Sequence, residues 1–202
     1  TAKKGEVLTV YPQGELEARF ILIGLGEKPS LYEVRNAYAK AVRQALKMAV
    51  DTANIYLPQL ESQTFSEILS TVLEGLLLGN YQFSDYKALS LQEKPLYLFS
   101  KFSLITPQKD LAAVEKAIHL AEAIYLTRNL VNRNADDLFP EALANVAKDM
   151  AKQHKNLTVE VLDKKRIERE KMGLLLAVNK GSELEPKVII LNYQGDPSSK
   201  DT

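Results

Sequence analysis

Two helix-start signals alternate with short apolar segments in the first half of the chain, and this alternation restricts the possible folds more than any other feature. Ser30 followed by Glu33, and the same pattern at residues 64–67, have the spacing of capping boxes, in which a hydroxyl and a carboxylate each accept a backbone N–H. Apolar residues follow each box at helical spacing, whereas residues 19–23 and 54–57 are short runs typical of strands. Strands separated by amphipathic helices predict an α/β fold with a mixed sheet flanked by helices.

Three local features refine this prediction. Residues 6–11 and 18–25 flank a Gln-Gly turn, which predicts a hairpin whose second strand is buried on both faces. The helix that starts after residue 64 is expected to end near Gly79 in a left-handed C-cap. A further strand is predicted over residues 95–105.

The longest helical pattern follows Pro107 and ends at an Asn- and Asp-rich corner within residues 127–140. Pro140 suits the first position of a new helix, because the N–H that proline lacks has no partner there in any case. We therefore predict three parts: an N-terminal α/β domain at 1–107, a connecting helix at 108–132, and the incomplete start of a second α/β domain at 133–202.

Composition excludes several classes of function. The 202 residues contain no cysteine, which rules out disulfides, thiolate nucleophiles and cysteine-based metal sites. Basic and acidic residues balance at 26 each, with 11 of each up to Pro107 and 15 of each after it, so we expect no nucleic-acid partner. No apolar run approaches the roughly 18–20 residues that a membrane span needs, and we expect a cytoplasmic protein.

Two polar clusters are candidate sites, and for both a structural interpretation is preferred. Residues 24–26, Gly-Leu-Gly, follow a strand and precede a helix, as a dinucleotide loop would, but Pro29 stands where the third glycine is needed. A tight turn is therefore favoured. Asp136, Asp137 and Glu141 could bind a hard metal or carry out acid–base chemistry, but Asp and Asn are also common turn residues, which is the preferred interpretation.

The remaining polar residues give weaker signals. His119 and His154 have no metal-binding spacing, and we expect partly exposed polar roles for them on helices. The basic run 164–166 is followed by two glutamates and is interpreted as a solvated face of a short helix capped by Asp163. Residues 180–182, Lys-Gly-Ser, have the wrong order for a phosphate loop.

Two segments resemble the leucyl aminopeptidase family, also called the cytosol aminopeptidases. Residues 128–140 read Arg-Asn-Leu-Val-Asn-Arg-Asn-Ala-Asp-Asp-Leu-Phe-Pro, close to the family pattern Arg-Asp-Leu-Val-Asn-x-Pro-Ala-Asn-x-Leu-Thr-Pro. Residues 172–182 are similar to the family's Met-Gly-x-Leu-Leu-Ala-Val-x-x-Gly-Ser, and residues 188–195 to a strand ending in Tyr-x-Gly. Asn134 and Phe139 depart from the pattern, and Phe139 removes the hydroxyl that would cap the next helix.

The resemblance implies a metal-dependent exopeptidase. Family members release N-terminal residues from peptides with two divalent metal ions, manganese or zinc, and are usually homo-hexamers with a macrodomain-like N-terminal domain. The family's metal ligands begin in a Gly-Lys-Gly-Ile-x-x-Asp-x-Gly-Gly segment that would follow Thr202, so no catalytic, cofactor-binding or metal-binding residue is assigned here, and the chain alone is predicted to be inactive. Two alternatives remain open at this stage: a macrodomain-like module that binds a nucleotide or ADP-ribose, and a DNA-binding accessory domain.

Overall fold

The computed structural model describes residues 3–14, 19–87 and 98–195 of the chain. Two compact units are present, Thr1–Asn129 and Leu130–Thr202. The predicted α/β class is confirmed. The described elements, in chain order, are β1 (Val7–Val10), β2 (Phe20–Ile23), α1 (Leu31–Leu46), β3 (Thr52–Tyr56), α2 (Phe65–Asn80), β4 (Lys101–Ile105), α3 (Leu111–Asn132), α4 (Pro140–Gln153), β5 (Leu157–Leu162), α5 (Lys164–Arg169), α6 (Gly173–Asn179) and β6 (Val188–Tyr193).

Both predicted capping boxes form. The Ser30 hydroxyl accepts the Glu33 N–H at 3.3 Å, and the Glu33 carboxylate accepts the Ser30 N–H at 2.8 Å. Thr64 and Glu67 repeat this arrangement at 3.3 and 2.8 Å at the start of α2. Each box satisfies backbone N–H groups that the first turn of a helix leaves without an internal partner, which explains why α1 and α2 begin where the sequence predicts.

The described strands form three two-stranded sheets. β1 and β2 form the predicted antiparallel hairpin, β3 pairs with β4 in parallel, and β5 pairs with β6 antiparallel. Parallel and antiparallel pairing are thus both present, as a mixed arrangement requires, although the described strands make three two-stranded sheets and not one continuous sheet.

The prediction that β2 is buried on both faces is wrong. Ile21 and Ile23 pack against the core formed by α1 and α2, but Leu22 is 49% exposed. Successive side chains of a strand point to opposite faces, so the two isoleucines cover the helices while Leu22 faces away from them. An apolar run alone could not show that only one face is covered.

Two glycines allow α1 and α2 to pack closely, and this corrects the prediction of a left-handed cap at Gly79. Gly79 lies inside α2, which continues to Asn80, and the next residue, Tyr81, is extended with φ −63°. A Cβ atom built on Gly79 would lie 2.8 Å from Ala39 Cα, and one on Gly75 would lie 2.5 Å from the Arg35 carbonyl oxygen. Both glycines therefore allow the backbones of two helices to approach each other closely, and neither of them produces a change of chain direction.

The strand predicted over residues 95–105 is shorter in the structure. Residues 95–97 lie outside the described part of the chain, and β4 begins at Lys101. Phe99 is buried and stacks on Phe102 with ring centroids 4.7 Å apart. Its N–H is accepted by the Asn80 side chain at 2.9 Å, and its carbonyl accepts the Asn80 amide at 3.2 Å. Because this side chain occupies the Phe99 peptide groups, they are not available to a strand ladder.

The described part of the second unit contains the helices α4, α5 and α6 and the antiparallel pair of β5 and β6. The Asp163 carboxylate accepts the Arg166 N–H at 2.8 Å and caps α5, as predicted. Ala144 and Ala147 of α4 are buried, as is Ile167 of α5. α6 differs, because Leu174 and Val178 on its surface are 87% and 85% exposed. Among the described residues, no helix combines the length and the apolar character that crossing a membrane requires.

Candidate functional site

The Asn- and Asp-rich corner is a turn in which backbone groups are satisfied locally. The Asn134 carbonyl accepts the Leu138 N–H at 2.9 Å, and the Asn134 side chain accepts the Asp137 N–H at 3.0 Å. Asp136 and Asp137 are both exposed. A side-chain oxygen that replaces a backbone acceptor is the usual reason for Asn and Asp in turns, so the structure agrees with the turn interpretation of this segment.

Glu141, the third carboxylate considered for a metal site, is bound by two ammonium groups. Lys187 Nζ lies 2.9 Å from one carboxylate oxygen and Lys148 Nζ lies 3.2 Å from the other. The hydrogen bond from Lys187 is the main reason that the pKa of Glu141 lies below its ordinary value, and the same bond raises the pKa of Lys187. The carboxylate therefore connects the first turn of α4 to the residue before β6.

Replacing Glu141 with glutamine should reduce the pH dependence of stability in the second unit. The depressed pKa means that the contribution of Glu141 is present above pH 4.5, its ordinary value, and is lost as the pH falls through the lower folded value. The raised pKa of Lys187 means that its contribution is present below pH 10.5 and is lost above the raised value. Denaturant midpoints of E141Q and the parent chain should therefore differ between these limits and converge in acid.

The matched control is E183Q, which changes an exposed glutamate of the same unit. Equal midpoints for E183Q and the parent chain across this range are expected. A shift as large in E183Q as in E141Q would contradict a specific role for the Glu141 ion pairs.

Phe139 occupies the N-cap of α4 without a capping hydrogen bond, as its replacement of a hydroxyl residue predicts. Its backbone is extended, with φ −85° and ψ 170°, which is the conformation that a capping serine or threonine adopts. Pro140 follows at the first helical position, also as predicted.

We expect F139T to be more stable than F139V by about 1 kcal/mol in the free energy of unfolding, because only threonine can accept an N–H of the first turn. The two variants lose the same ring and have nearly the same shape, so their difference isolates the hydroxyl. Urea titration followed by circular dichroism measures it, and equal stability of the two variants would contradict the capping argument.

The histidines and the basic segments have ordinary structural roles. His119 is an exposed residue of α3 that lies 3.4 Å from Glu122, and His154 is the C-cap of α4. Arg166 donates to Glu170 at 2.7 Å, so part of the charge of the basic run is neutralised on the surface of its own helix. These observations agree with the solvated interpretation of both features.

The Gly24–Gly26 loop follows β2 and leads toward α1, and the Gly24 carbonyl accepts the Gly5 N–H at 2.7 Å. The Gly24 N–H donates to the Glu6 carbonyl at 2.8 Å, and Gly26 has φ +85°, a conformation that favours glycine. At the following helix start, the Glu33 carboxylate contacts Lys4 and accepts the Ser30 N–H, which lowers the pKa of Glu33 to about 2. A carboxylate at this helix start would repel a phosphate, so the loop does not resemble a dinucleotide site.

The first two residues of the family-like segment 128–140 hold the end of α2, a role that sequence reasoning missed. Arg128 donates to the Leu78 carbonyl at 3.4 Å, and its guanidinium lies 5.2 Å from the centre of the Tyr81 ring. The Tyr81 hydroxyl donates to the Asn129 side chain at 2.8 Å. Tyr125 donates to the carbonyl of Leu77, and its ring packs against Tyr81 with ring centroids 5.1 Å apart and an interplanar angle of 45°.

These contacts replace the helix cap that the sequence predicted at Gly79. The carbonyl groups of Leu77 and Leu78, in the last turn of α2, receive donors from side chains of α3, and no described residue at this helix end adopts the left-handed conformation. The sequence signal for this cluster is a tyrosine at the end of α2, Tyr81, together with Tyr125 and Arg128, which are three positions apart in α3. This signal can be recognised only when the two helices are known to meet.

The described residues do not fit a two-metal centre. They contain no group of three or more His, Cys, Asp or Glu side chains placed to hold a metal ion. The carboxylates considered at residues 136–141 belong to turn residues and to a glutamate bound by lysines. No reaction step is therefore assigned to a metal held by these residues.

Comparison with known families places the two units in one protein family. The model of the N-terminal domain of the cytosol aminopeptidase family matches residues 1–89, and the model of its catalytic domain matches residues 125–202. A probable cytosol aminopeptidase of Chlamydia caviae is 41% identical over 100% of this chain and 41% of its own length. A probable cytosol aminopeptidase of Protochlamydia amoebophila is 38% identical over 98% of this chain and 40% of its own length.

Solved structures share the fold. The bottromycin maturation enzyme BotP is 26% identical, with a TM-score of 0.80 over 96% of this chain and 41% of its own, and it has also been solved as a complex with Mn. A tomato leucine aminopeptidase mutant is 22% identical, with a TM-score of 0.84 over 98% of this chain and 40% of its own, so the similarity between these two proteins concerns the fold.

The fold is thus the α/β fold of the leucine aminopeptidases. The chain belongs to the cytosol aminopeptidase family of metal-dependent hydrolases, and it carries the family's N-terminal domain and the start of its catalytic domain. The predicted family is confirmed. The chain spans about two fifths of the length of the curated relatives that it matches.

Proposed function

We propose that this chain is the N-terminal scaffold of an aminopeptidase that removes N-terminal residues from peptides with two divalent metal ions, manganese or zinc. The observation that carries the proposal is the match of both family models to one chain, in the order N-terminal domain and then catalytic domain. The manganese complex of BotP supports the choice of metal. The same proposal includes a cytoplasmic location, as the name cytosol aminopeptidase suggests.

We also propose a division of roles within the chain. Residues 1–107 form a macrodomain-like domain that serves assembly of a homo-hexamer, and residues 108–132 connect it to the start of the catalytic domain at residues 133–202. In this proposal the ligands of the metal pair are supplied by other parts of the enzyme. The role that we propose for the chain is structural.

Activity measurements can test this division. The 202-residue chain, purified and supplied with Mn²⁺, should release no detectable chromophore from leucine p-nitroanilide. A hybrid in which the chain replaces the matching part of the Chlamydia caviae relative should hydrolyse it with a dependence on added metal. Activity of the chain alone would overturn the proposal that it lacks the ligands, and a folded but inactive hybrid would contradict its role as the scaffold.

Assembly gives an independent readout. Sedimentation of the folded hybrid should show a hexamer, and a monomer at micromolar concentration would contradict the assembly part of the proposal without affecting the part that concerns catalysis.

A further inference from the structure

The last three turns of α3 extend past the hydrophobic core. Ala121 is the last buried residue of this helix, and none of the residues from 122 to 132 is buried. None of them belongs to either hydrophobic cluster formed by the described residues. These eleven residues span about 16 Å of helix, and an isolated helix of this length is marginally stable in water. Interactions other than core packing must therefore hold this part of α3 to the first unit.

Four side chains at the end of α2 and in this part of α3 form a connected cluster, which we name the α2–α3 latch: Tyr81, Tyr125, Arg128 and Asn129. Tyr81 is at its centre and contacts each of the other three. Its ring centroid lies 5.1 Å from that of Tyr125 and 5.2 Å from the Arg128 guanidinium. Its hydroxyl donates to the Asn129 side chain at 2.8 Å. The contacts of the latch are thus aromatic and polar.

The latch also supplies what the end of α2 lacks. The last turn of α2 contains no basic residue, and its C-cap residue has an extended backbone. The last carbonyls of a helix carry partial negative charge, so a cation close to them is favourable. Arg128 provides this cation from another helix and donates to the Leu78 carbonyl, while Tyr125 donates to the Leu77 carbonyl. The same contacts therefore satisfy α2 and attach α3.

The latch lies where the first unit ends. Asn129 is the last residue of that unit and the last member of the latch, although α3 continues to Asn132. Compact units usually end in exposed linkers that few contacts cross, whereas this unit ends inside a helix. The end of the unit thus coincides with the end of the latch and not with the end of the helix.

We propose that the α2–α3 latch is a conformational device that opens independently of the core. When its contacts break, α3 detaches from α2 and loses its helical hydrogen bonds from about residue 122 onward, while α1, α2 and the first part of α3 stay folded. Segments with few buried contacts open at a lower free energy than the core does. The latch therefore sets the point at which the rigid part of the first unit ends, Asn129 when it is closed and Ala121 when it is open.

Hydrogen exchange measured by NMR tests the proposal in the 202-residue chain. The double variant Y125F/R128Q removes both donors to the α2 carbonyls. The amides of residues 126–132 should then exchange at least about 10-fold faster than in the parent chain, because two hydrogen bonds are lost. The amides of residues 117–121, and those of Val42 and Val72 in the core, should not change.

The matched control is T127V, which removes a hydroxyl from the same part of α3. Thr127 is exposed and donates to the Ala123 carbonyl of its own helix, at 3.0 Å, and not to α2. Exchange in T127V should therefore equal that in the parent chain within about twofold.

Two results would overturn the proposal. The first is unchanged exchange of residues 126–132 in a double variant whose Val42 and Val72 amides show that the core is folded. The second is an equal acceleration of these amides and of the core amides, which would mean that the end of α3 opens only together with the core. If the double variant does not fold, Y125F and R128Q are measured singly, with an expected acceleration of about 5-fold for each.

The conservative variant R128K separates the charge from the shape of the guanidinium. Lysine keeps a cation close to the last carbonyls of α2, whereas R128Q removes it. The amides of residues 126–132 should therefore exchange more slowly in R128K than in R128Q. Equal exchange in these two variants would contradict the role of the positive charge at the end of α2.

The absence of cysteine from the chain allows a second readout with spin labels. One labelled pair, K40C/T127C, connects α1 to the latched part of α3, and the control pair, K40C/K116C, connects α1 to the part that precedes Ala121. All three positions are exposed. Adding Y125F/R128Q should broaden the distance distribution of the first pair only. Broadening of both pairs, or of neither, would contradict the proposal. Neither readout uses activity, so the result does not depend on the proposed function.

Discussion

Replacing Leu76 with alanine should lower the free energy of unfolding of the first unit by about 2–5 kcal/mol, the largest effect that we expect from a single substitution. Leu76 is only 1% exposed and belongs to the core cluster that includes Val34 and Val72. The loss combines the transfer of the removed methyl groups to water with the cavity that the close-packed neighbours cannot fill.

The matched control is L111A, which removes the same atoms from a helical leucine of the same unit that is 71% exposed. We expect a change within about 0.5 kcal/mol for L111A. Chemical denaturation followed by circular dichroism compares the two variants. A loss for L76A no larger than that for L111A would show that the core does not depend on this side chain.

The second large effect is expected for G75A, with a loss of about 1–3 kcal/mol from overpacking. Alanine is the better helix former by roughly 1 kcal/mol, so a substitution judged from the helix alone should stabilise α2. The new methyl group, however, would lie 2.5 Å from the Arg35 carbonyl oxygen and 3.0 Å from Tyr38 Cβ. Backbone atoms cannot rotate away as a flexible side chain can, so the two helices must separate.

The control for G75A is G173A on α6, where an added Cβ meets no atom within 4 Å. G173A should be neutral or stabilising by up to about 1 kcal/mol, since only the helix propensity changes. Thermal denaturation of both variants gives the comparison. If G75A were more stable than the parent chain, α1 and α2 would have room for the added methyl group, and the close approach would not require glycine at this position.

The features that the sequence predicted correctly are those governed by neighbouring residues. The capping boxes at Ser30 and Thr64, the Asp163 cap and proline at the start of α4 all involve groups within about one helical turn of each other. The hairpin of β1 and β2 follows from alternation and a turn in the same short segment. Such interactions can be inferred without knowing which distant segments meet.

The features that were missed require knowledge of distant partners. Gly75 and Gly79 could be recognised as packing glycines only once α1 was known to lie against α2. The interaction of Arg128 with the end of α2 spans 50 positions in sequence. The exposure of Leu22 depends on which face of β2 is covered, and the apolar character of a residue does not indicate which face that is.

The candidate site divides in the same way. The turn roles of Asp137 and Asn134 were predictable because they concern adjacent residues. The pairing of Glu141 with Lys187 was not, because 46 positions separate them and only the fold brings α4 beside the residue that precedes β6. Family membership came from motif order, which records ancestry and does not require knowledge of contacts.

The two nearly bare aliphatic side chains of α6 have a practical consequence for anyone who handles this polypeptide. Leu174 and Val178, one turn apart on a seven-residue helix, form a small exposed apolar surface. Adjoining exposed apolar side chains favour association with other apolar surfaces. Purification at low protein concentration with a mild detergent would limit self-association, and the double substitution L174K/V178K should reduce aggregation of the preparation.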